Sequence, residues 1–327
     1  MKKLLAILLA LVMCLSLVPA AFAADTHTIR FSTTSADGTT IADAMYLFAE
    51  KVDELSDGKL IVEVYTNSQL GDGPQALQNA QLGVQEMTMT QPTMLSARGV
   101  TGLTAVSLPY VFRNLEHQIA VINGDIGASL LEEVQTAGTG LIGIGFWSEG
   151  SRNFFSTKPI TCIEDIAGMK LRCMQVDVDT EMVKALGASP TPIAFGELYS
   201  ALQTKVVDGA ENPLDGIYSS KFYEVCKYVT LDEHTMPPTV IVFSEIIWNQ
   251  MSAEEQQIII DAWKAVADTN YDVVNDGLTT YRELLEAEGV EIIELSDKEK
   301  WSDAMTDVYA KFGADCPEVI DAILALE

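Results

Sequence analysis

The chain has 327 residues, of which 47 are acidic and 20 are basic, so its formal net charge at pH 7 is −27. Binding to nucleic acid requires a basic surface, which this composition excludes, and adsorption to anionic lipid is disfavoured for the same reason. The length suits two domains that each bury a hydrophobic core, and the acidic excess is typical of a well-solvated surface.

The N-terminus predicts a secretory signal peptide over residues 1–23. A lysine pair precedes an apolar run over residues 4–17, and an Ala-Phe-Ala cleavage site ends at Ala23. The run is shorter than the ~20 residues that a spanning helix needs, so we expect export and cleavage rather than insertion into the membrane. Cys14 leaves lipid attachment as an alternative, but the preceding Met13 is bulkier than such signals usually have. The mature protein is expected in the periplasm or at the outer face of the cytoplasmic membrane.

The first half of the mature chain alternates apolar runs with segments of helical periodicity. Five apolar residues between positions 41 and 55 recur at intervals of four and three, which places them on one face of a helix. We predict strands over residues 28–33, 60–65, 87–90 and 141–147, and helices over residues 41–55, 74–82 and 115–137, the last with a break at residues 123–124.

The second half repeats this alternation, so the sequence predicts an α/β protein built from two units in tandem. Ser252 and Ser296 are each followed three residues later by glutamate, the spacing of a capping box that opens a helix. The first of these helices extends towards Ala287, a length that suggests a strut between domains. We predict strands over residues 169–174, 206–210 and 239–243, and further helices over residues 179–186 and 213–223.

Residues able to carry catalysis or bind a metal are few. One GxGxxG match begins at Gly138, but a helix precedes it and a strand starts inside it, the reverse of a dinucleotide-binding turn. Acidic pairs such as Asp177 with Asp179 are expected by chance in so acidic a chain. No two histidines have metal-ligand spacing, and each is interpreted as a surface or satisfied core residue: His27, His117 and His234. We predict no catalytic residue, metal site or cofactor.

Four cysteines follow the signal peptide, and none forms a CxxC pair: Cys162, Cys173, Cys226 and Cys316. This excludes a zinc or redox motif of the usual spacing. Free, partly buried thiols are the default expectation. A bridge between Cys162 and Cys173 stays open as an alternative in an oxidising compartment.

Three segments are more specific than any short motif: EGSRNFFSTKPI from residue 149, IEDIAGMKLRCM from residue 163, and KALGASPTPIAFGELYSALQTKVVDGAENPL from residue 184. With their flanking stretches they closely resemble the solute-binding proteins of TRAP (tripartite ATP-independent periplasmic) transporters, the DctP family of C4-dicarboxylate and sialic-acid binders. The resemblance covers essentially the whole mature chain. It implies a two-domain, periplasmic-binding-protein-like clamp of the α/β class, with a long helix spanning both domains. Domain I is expected over residues 25–149 plus 238–277, and domain II over residues 150–237 plus 278–327.

The resemblance also implies a ligand site centred on Arg172. In the family, a strand arginine at this position forms a two-pronged salt bridge with the ligand carboxylate, and a guanidinium fork suits that geometry. The alternative is an arginine paired with a core carboxylate. Arg152 matches a second arginine near the ligand in some members, with a hinge or surface salt bridge as its alternative. Asn212 matches an asparagine that hydrogen-bonds the ligand, and its alternative is a turn before Pro213.

Further ligand contacts are expected around these three. Phe195 matches an aromatic residue that packs on the ligand, Gln175 matches a polar contact, and Trp147 is a pocket wall by position, although either aromatic residue has a core position as its alternative. Gln91 stands where sialic-acid binders have an acidic residue, and Gly73 replaces another acid in the common GDD turn. These departures argue against sialic acid without affecting the carboxylate anchor.

The function implied by the resemblance is capture of a small organic acid by a monomeric, non-catalytic subunit. The subunit would deliver its ligand to the small and large TRAP membrane subunits for uptake driven by an ion gradient. Two alternatives stay open: a sensory binding protein that presents the ligand to a receptor kinase, and an exported enzyme. The residues do not identify the acid.

Overall fold

The computed structural model describes residues 26–326 of the chain. The signal peptide predicted over residues 1–23 lies outside the described residues. Within residues 26–326, no helix combines the length and the apolar character needed to cross a membrane.

Strands and helices alternate along the described residues, as the α/β prediction requires. The strands are β1 (His27–Ser32), β2 (Leu60–Tyr65), β3 (Met87–Thr90), β4 (Leu141–Trp147), β5 (Arg152–Ser156), β6 (Lys170–Cys173), β7 (Ser189–Pro192), β8 (Gly209–Asn212), β9 (Tyr228–Thr235), β10 (Thr239–Ser244) and β11 (Glu291–Glu294). The α-helices are α1 (Thr40–Leu55), α2 (Gly73–Gln81), α3 (Pro92–Ser96), α4 (Leu115–Asn123), α5 (Asp125–Thr136), α6 (Asp177–Ala185), α7 (Leu198–Gln203), α8 (Leu214–Ser219), α9 (Glu245–Trp248), α10 (Ala253–Ala287), α11 (Lys298–Asp303), α12 (Thr306–Phe312) and α13 (Pro317–Ala325).

The first sheet has the order β2-β1-β3-β10-β4, with β10 antiparallel to both of its neighbours. Helix α1 packs its periodic apolar face on this sheet, and Met45, Phe48 and Val52 are fully buried there. Burial of each such side chain stabilises the fold by roughly 2 kcal/mol. The predicted helix and the break between α4 and α5 are both confirmed.

The second sheet has the order β11-β9-β5-β8-β6-β7. Its strand β8 begins three residues later than predicted and ends two residues later, because Lys205 adopts a left-handed conformation (φ 61°) and turns the chain, which leaves Val206 52% exposed. The strand that follows is buried along its whole length and ends at Asn212. Asn212 is therefore a strand residue paired with Asn153 of β5, and not part of the turn.

Helix α10 connects the layers of the two sheets. It has 35 residues and a length of about 52 Å, and it packs on α1 and β4 at the first sheet and on α8 and β11 at the second. Its capping box at Ser252 and Glu255 is present, which confirms the prediction. The second predicted capping box is wrong: Asp297, not Ser296, precedes α11, and its side chain makes no capping hydrogen bond.

The C-terminal helices contact both halves of the molecule. Helix α12 packs on α6, whereas α13 packs on α5 and on the 3-10 helix Thr101–Ser107. The domain boundaries given above stay a prediction. The four cysteines are free thiols, so Cys162 and Cys173 form no bridge.

We predict that Ser252→Ala lowers the free energy of unfolding by about 1 kcal/mol, because the Ser252 side chain accepts the backbone N–H of Glu255 at the start of α10. Urea denaturation followed by circular dichroism measures the change. Ser296→Ala is the matched control, since this serine caps no helix, and a loss equal to that of Ser252→Ala would contradict the assignment.

Candidate functional site

A cleft with about 900 Å³ of empty space, its open mouth included, lies between the two sheets. One wall consists of segments that follow β1 and β3 of the first sheet, and the other consists of segments at the ends of β6 and β8 of the second. Ligands of open α/β sheets bind at such strand ends, where loops and unpaired backbone groups converge.

Six of the seven predicted site residues line this cleft. They come from both walls: Gln91, Arg152, Arg172, Gln175, Phe195 and Asn212. Arg152, Arg172 and Asn212 are buried, whereas Gln175 is exposed at the rim.

The prediction that Trp147 forms a pocket wall is wrong. Its side chain is fully buried in the core of the first sheet, with ring centroids 6.2 Å from Phe31 and 6.1 Å from Phe48. Packing between the sheet and α1 removes this large apolar surface from water, so its core position is the stable one.

Arg172 lies on β6, as predicted, and its guanidinium is only partly satisfied by the protein. Nε donates to the carbonyl of Ile193 at 2.9 Å, while Nη1 is buried without a hydrogen-bond partner in the described part of the chain. Nη1 lies 3.7 Å from Oε1 of Glu211, and the Phe195 ring lies 5.8 Å from the guanidinium carbon. Burial lowers the pKa of Arg172, and the charge of Glu211 opposes that shift.

Arg152, unlike Arg172, forms a close ion pair with Glu211. Its Nε donates to Oε2 of Glu211, and Nη2 lies 3.2 Å from Oε1. Glu149 lies on its other side at 3.9 Å from Nη1. Burial raises the pKa of Glu211, but the charge of Arg152, the hydrogen bonds from Arg152 and the charge of His234 outweigh it and lower that pKa to about 2.

His234 completes the cationic surroundings of Glu211. Its Nε2 lies 3.7 Å from Oε2 of Glu211, and its Nδ1 lies 2.6 Å from Asp232. The ring stacks on Phe154 with centroids 4.5 Å apart and is fully buried. Burial lowers the pKa of His234, but Asp232 and Glu211 outweigh it and raise the pKa to about 9. His234 is thus a buried ionic residue directly behind the cleft.

Asp179 is the carboxylate of this cluster that has no close cation. It lies in the first turn of α6, is 8% exposed, and its Oδ2 has no hydrogen-bond partner among residues 26–326. Burial and the charge of Glu211 raise its pKa to about 7, against the opposing effects of Arg152 and Arg172. From the sequence, Asp179 was interpreted as one of a chance acidic pair with Asp177, and its buried environment was missed.

Sequence reasoning also missed Glu211 and His234. Glu211 had one usable signal, since it is a charged residue in an otherwise uncharged strand and directly precedes Asn212. His234 had a local signal in Asp232, which lies two residues earlier on the same strand β9, but Glu211 reaches it only through the pairing of β9, β5 and β8.

The first wall contributes polar groups and contacts to the second. Gln91 donates to Glu149 at 3.4 Å, and burial raises the pKa of Glu149. Thr40 donates through its backbone N–H and its hydroxyl to Asp215 of α8, at 2.9 and 2.7 Å. The Ser219 hydroxyl donates to the carbonyl of Gly38 at 2.7 Å. These hydrogen bonds join the two walls at one edge of the cleft.

We predict that His234 stabilises the fold most at mildly acidic and neutral pH. Its folded pKa of about 9 lies above its ordinary value of 6.5, so its ionic contribution is complete below pH 6.5 and disappears as the pH rises through 9. The difference in unfolding free energy between the native protein and His234→Gln should therefore shrink from pH 6 to pH 10, as measured by denaturant titrations.

The control for this prediction is His27→Gln, which removes a histidine whose side chain is 58% exposed and which pairs with Glu255 at the surface. It should change stability little across the same range. A His234→Gln difference that grows with pH would contradict the ionic role.

Comparison with known proteins identifies relatives along nearly the whole chain. The sequence profile of the DctP family, described as bacterial extracellular solute-binding protein, family 7, matches residues 31–315. The C4-dicarboxylate-binding periplasmic protein DctP of Rhodobacter capsulatus is 30% identical over 304 residues, 91% of each chain. The sialic acid-binding periplasmic protein SiaP of Vibrio cholerae is 30% identical over 298 residues, 91% of this chain and 92% of that one.

A solved structure gives the same result for the fold. The sugar acid binding protein DctPAm from Advenella mimigardefordensis, in complex with galactonate, is similar with a TM-score of 0.87 and 32% sequence identity. The match covers 92% of this chain and 97% of that one. The two-domain clamp predicted from the sequence is therefore confirmed as the fold.

Proposed function

This chain belongs to the DctP family of bacterial extracellular solute-binding proteins, and we propose that it captures a small organic acid in its cleft with Arg172 as the carboxylate anchor. The family and the similar structures are binding proteins, not enzymes. Delivery of the acid to the small and large membrane subunits of a TRAP transporter, with uptake driven by an ion gradient, is part of the same proposal.

The observation that carries the proposal is the buried Nη1 of Arg172 at the cleft wall, which has no hydrogen-bond partner among residues 26–326. A buried cationic donor without a hydrogen bond is unfavourable, and an anionic acceptor in the cleft would relieve that penalty. Arg152 is already held by Glu211, so its role is to add positive charge and, through Nη1, a further donor. Asn212 and Phe195 border the same space and supply a polar contact and an apolar surface.

Closure of the clamp follows from the position of the ligand between two walls. An acid that contacts Arg172 on one wall and Gln91 on the other binds the closed form better than the open form. Differential affinity of this kind shifts a hinge equilibrium towards closure. The closed form is then the state that would dock on the membrane subunits.

We predict that Arg172→Ala weakens binding of an acid ligand by ~2–5 kcal/mol, because truncation leaves a desolvated carboxylate without its partner. This corresponds to a loss of more than tenfold at ~1.4 kcal/mol per decade. A thermal-shift screen of organic acids, including C4-dicarboxylates and sugar acids, selects the probe, and calorimetry then measures its dissociation constant.

Arg282→Ala is the matched control, since this arginine lies on the exposed surface of α10 and pairs with Glu286 and Glu294. It should bind the selected acid with unchanged affinity. Equal affinities of Arg172→Ala and the native protein would overturn the anchor assignment.

We further predict that affinity for the acid decreases as the pH rises from 6 to 8. Asp179 has a pKa of about 7 and shares its surroundings with Arg152, Arg172, Glu211 and His234. A bound carboxylate favours the protonated form of Asp179, so binding takes up a proton, and affinity changes by at most about tenfold per pH unit. Calorimetry at pH 6, 7 and 8 measures this trend. Asp179→Asn should remove it, and a slope that persists in this variant would contradict the role of Asp179.

A further inference from the structure

A smaller recess, with about 280 Å³ of empty space including its opening to solvent, lies beside the cleft and shares Gln91 and Met174 with it. We call this recess the inner chamber, and define it by Gln91, Thr93, Met174 and Asp179. Glu211 also borders it, so the inner chamber adjoins the charge cluster that holds Arg152 and Arg172. The enclosed part of the inner chamber has room for about one water-sized group, so it admits a single hydroxyl.

Three oxygen atoms in the walls of the inner chamber are buried without a hydrogen-bond partner among the described residues. They are Oε1 of Gln91, Oγ1 of Thr93 and Oδ2 of Asp179. Thr93 is 9% exposed and Asp179 is 8% exposed. Native proteins pair nearly all such groups, so three in one small space indicate a polar occupant.

The chemistry of these atoms selects among occupants. Oε1 of Gln91 only accepts, because its Nε2 donates to Glu149. The Thr93 hydroxyl both donates and accepts, and Asp179 accepts when ionised and donates when protonated. A second ligand carboxylate would face Glu211 and the Gln91 oxygen, a methyl group would leave all three atoms unpaired, and an ammonium would lie near two arginines. A neutral hydroxyl can pair all three atoms when Asp179 is protonated, since it accepts from Thr93 and Asp179 and donates to Gln91. When Asp179 is ionised, the hydroxyl donates to one of the two acceptors and still accepts from Thr93.

We propose that the inner chamber binds a hydroxyl group of the same acid whose carboxylate lies on Arg172, so that Thr93 and Asp179 select hydroxylated acids. This inference rests on the proposed function and specifies its ligand class. The cleft then has a donor end at Arg172 and a hydrogen-bonding end at the inner chamber. A site built to bond a hydroxyl discriminates against the analogue that lacks it, because its own polar groups are then left buried and unpaired.

The test compares acids that share a carbon skeleton and differ in hydroxylation: lactate with propionate, malate with succinate, and gluconate with hexanoate. Calorimetry on the full mature chain should give the hydroxylated member of at least one pair a preference of about tenfold or more. Thr93→Val, which replaces the hydroxyl with a methyl group of similar size, and Asp179→Leu should each reduce that preference to less than about threefold. Neither should weaken the unhydroxylated acid to the same extent.

The matched control is Thr136→Val, which removes an exposed hydroxyl on α5 that donates to the carbonyl of Glu132. It should retain the full preference. Thermal unfolding checks that each variant is folded, and Thr93→Val decides the question alone if Asp179→Leu does not fold.

The outcomes separate the two proposals. Loss of binding in Arg172→Ala together with an unchanged preference in Thr93→Val would overturn the inner-chamber assignment and leave the carboxylate anchor intact. No preference in any pair for the native protein would overturn it as well. Unchanged binding of the hydroxylated acid in Arg172→Ala would overturn the anchor, and the inference with it.

Discussion

Glu211 is buried among Arg152, Arg172 and His234, and the electrostatics of the cleft depend on how these three share it. An ionised carboxylate is expensive to bury unless partners and hydrogen bonds surround it. Arg152 supplies the close contact and the hydrogen bonds, and His234 adds a second positive charge at 3.7 Å from behind. Nη1 of Arg172 lies 3.7 Å from Oε1 of Glu211. The charge of Glu211 stabilises the guanidinium at this distance, but the distance is too long for a hydrogen bond, so Nη1 stays available to another acceptor. A bidentate pair between Glu211 and Arg172 would instead have filled the proposed anchor with a protein carboxylate.

The sheet positions this cluster through an irregularity in β9. Pairing of β5 with β9 shifts register between Arg152 and Phe154, and Glu233 adopts a left-handed conformation with φ of 51°. The backbone groups released there are bonded by side chains, since the N–H of Phe154 donates to Asp232 at 2.9 Å. The same irregularity brings His234 onto the Phe154 ring and against Glu211. Bulges commonly redirect side chains next to functional sites in this way.

The fold was predictable where one face of an element is buried over several turns or residues. The 4,3 spacing of α1 and the apolar runs of β2, β3 and β4 are signals of that kind. Strand β7, by contrast, reads Ser-Pro-Thr-Pro and pairs only along one edge, so neither propensity nor alternation indicates it.

The ligand site follows the same rule, since residues with a local sequence signal could be predicted and residues brought together by the sheet could not. The arginines and Asn212 could be placed because long segments around them resemble a family, whereas Trp147 was placed by position alone and points into the core. Arg152 and Glu211 are 59 residues apart in sequence, and Asp179 is one of 47 acidic residues. Only the pairing of β5, β8 and β6 brings these groups together. Burial and the charges of neighbouring groups, which together shift these pKa values, are therefore properties of the assembled sheet and have no local signature.

Helix α10 constrains how the two walls of the cleft can move. Because one continuous helix packs on both sheets, and the core joins Phe146 of β4 to Phe154 of β5, the walls are tethered at short range. Each wall is therefore present at a high effective concentration relative to the other, as in a linked pair of binding modules. Binding of a bridging ligand therefore costs the free energy of rotating one wall towards the other, and not the translational entropy of bringing two separate molecules together. More of the contact energy of the ligand then contributes to affinity.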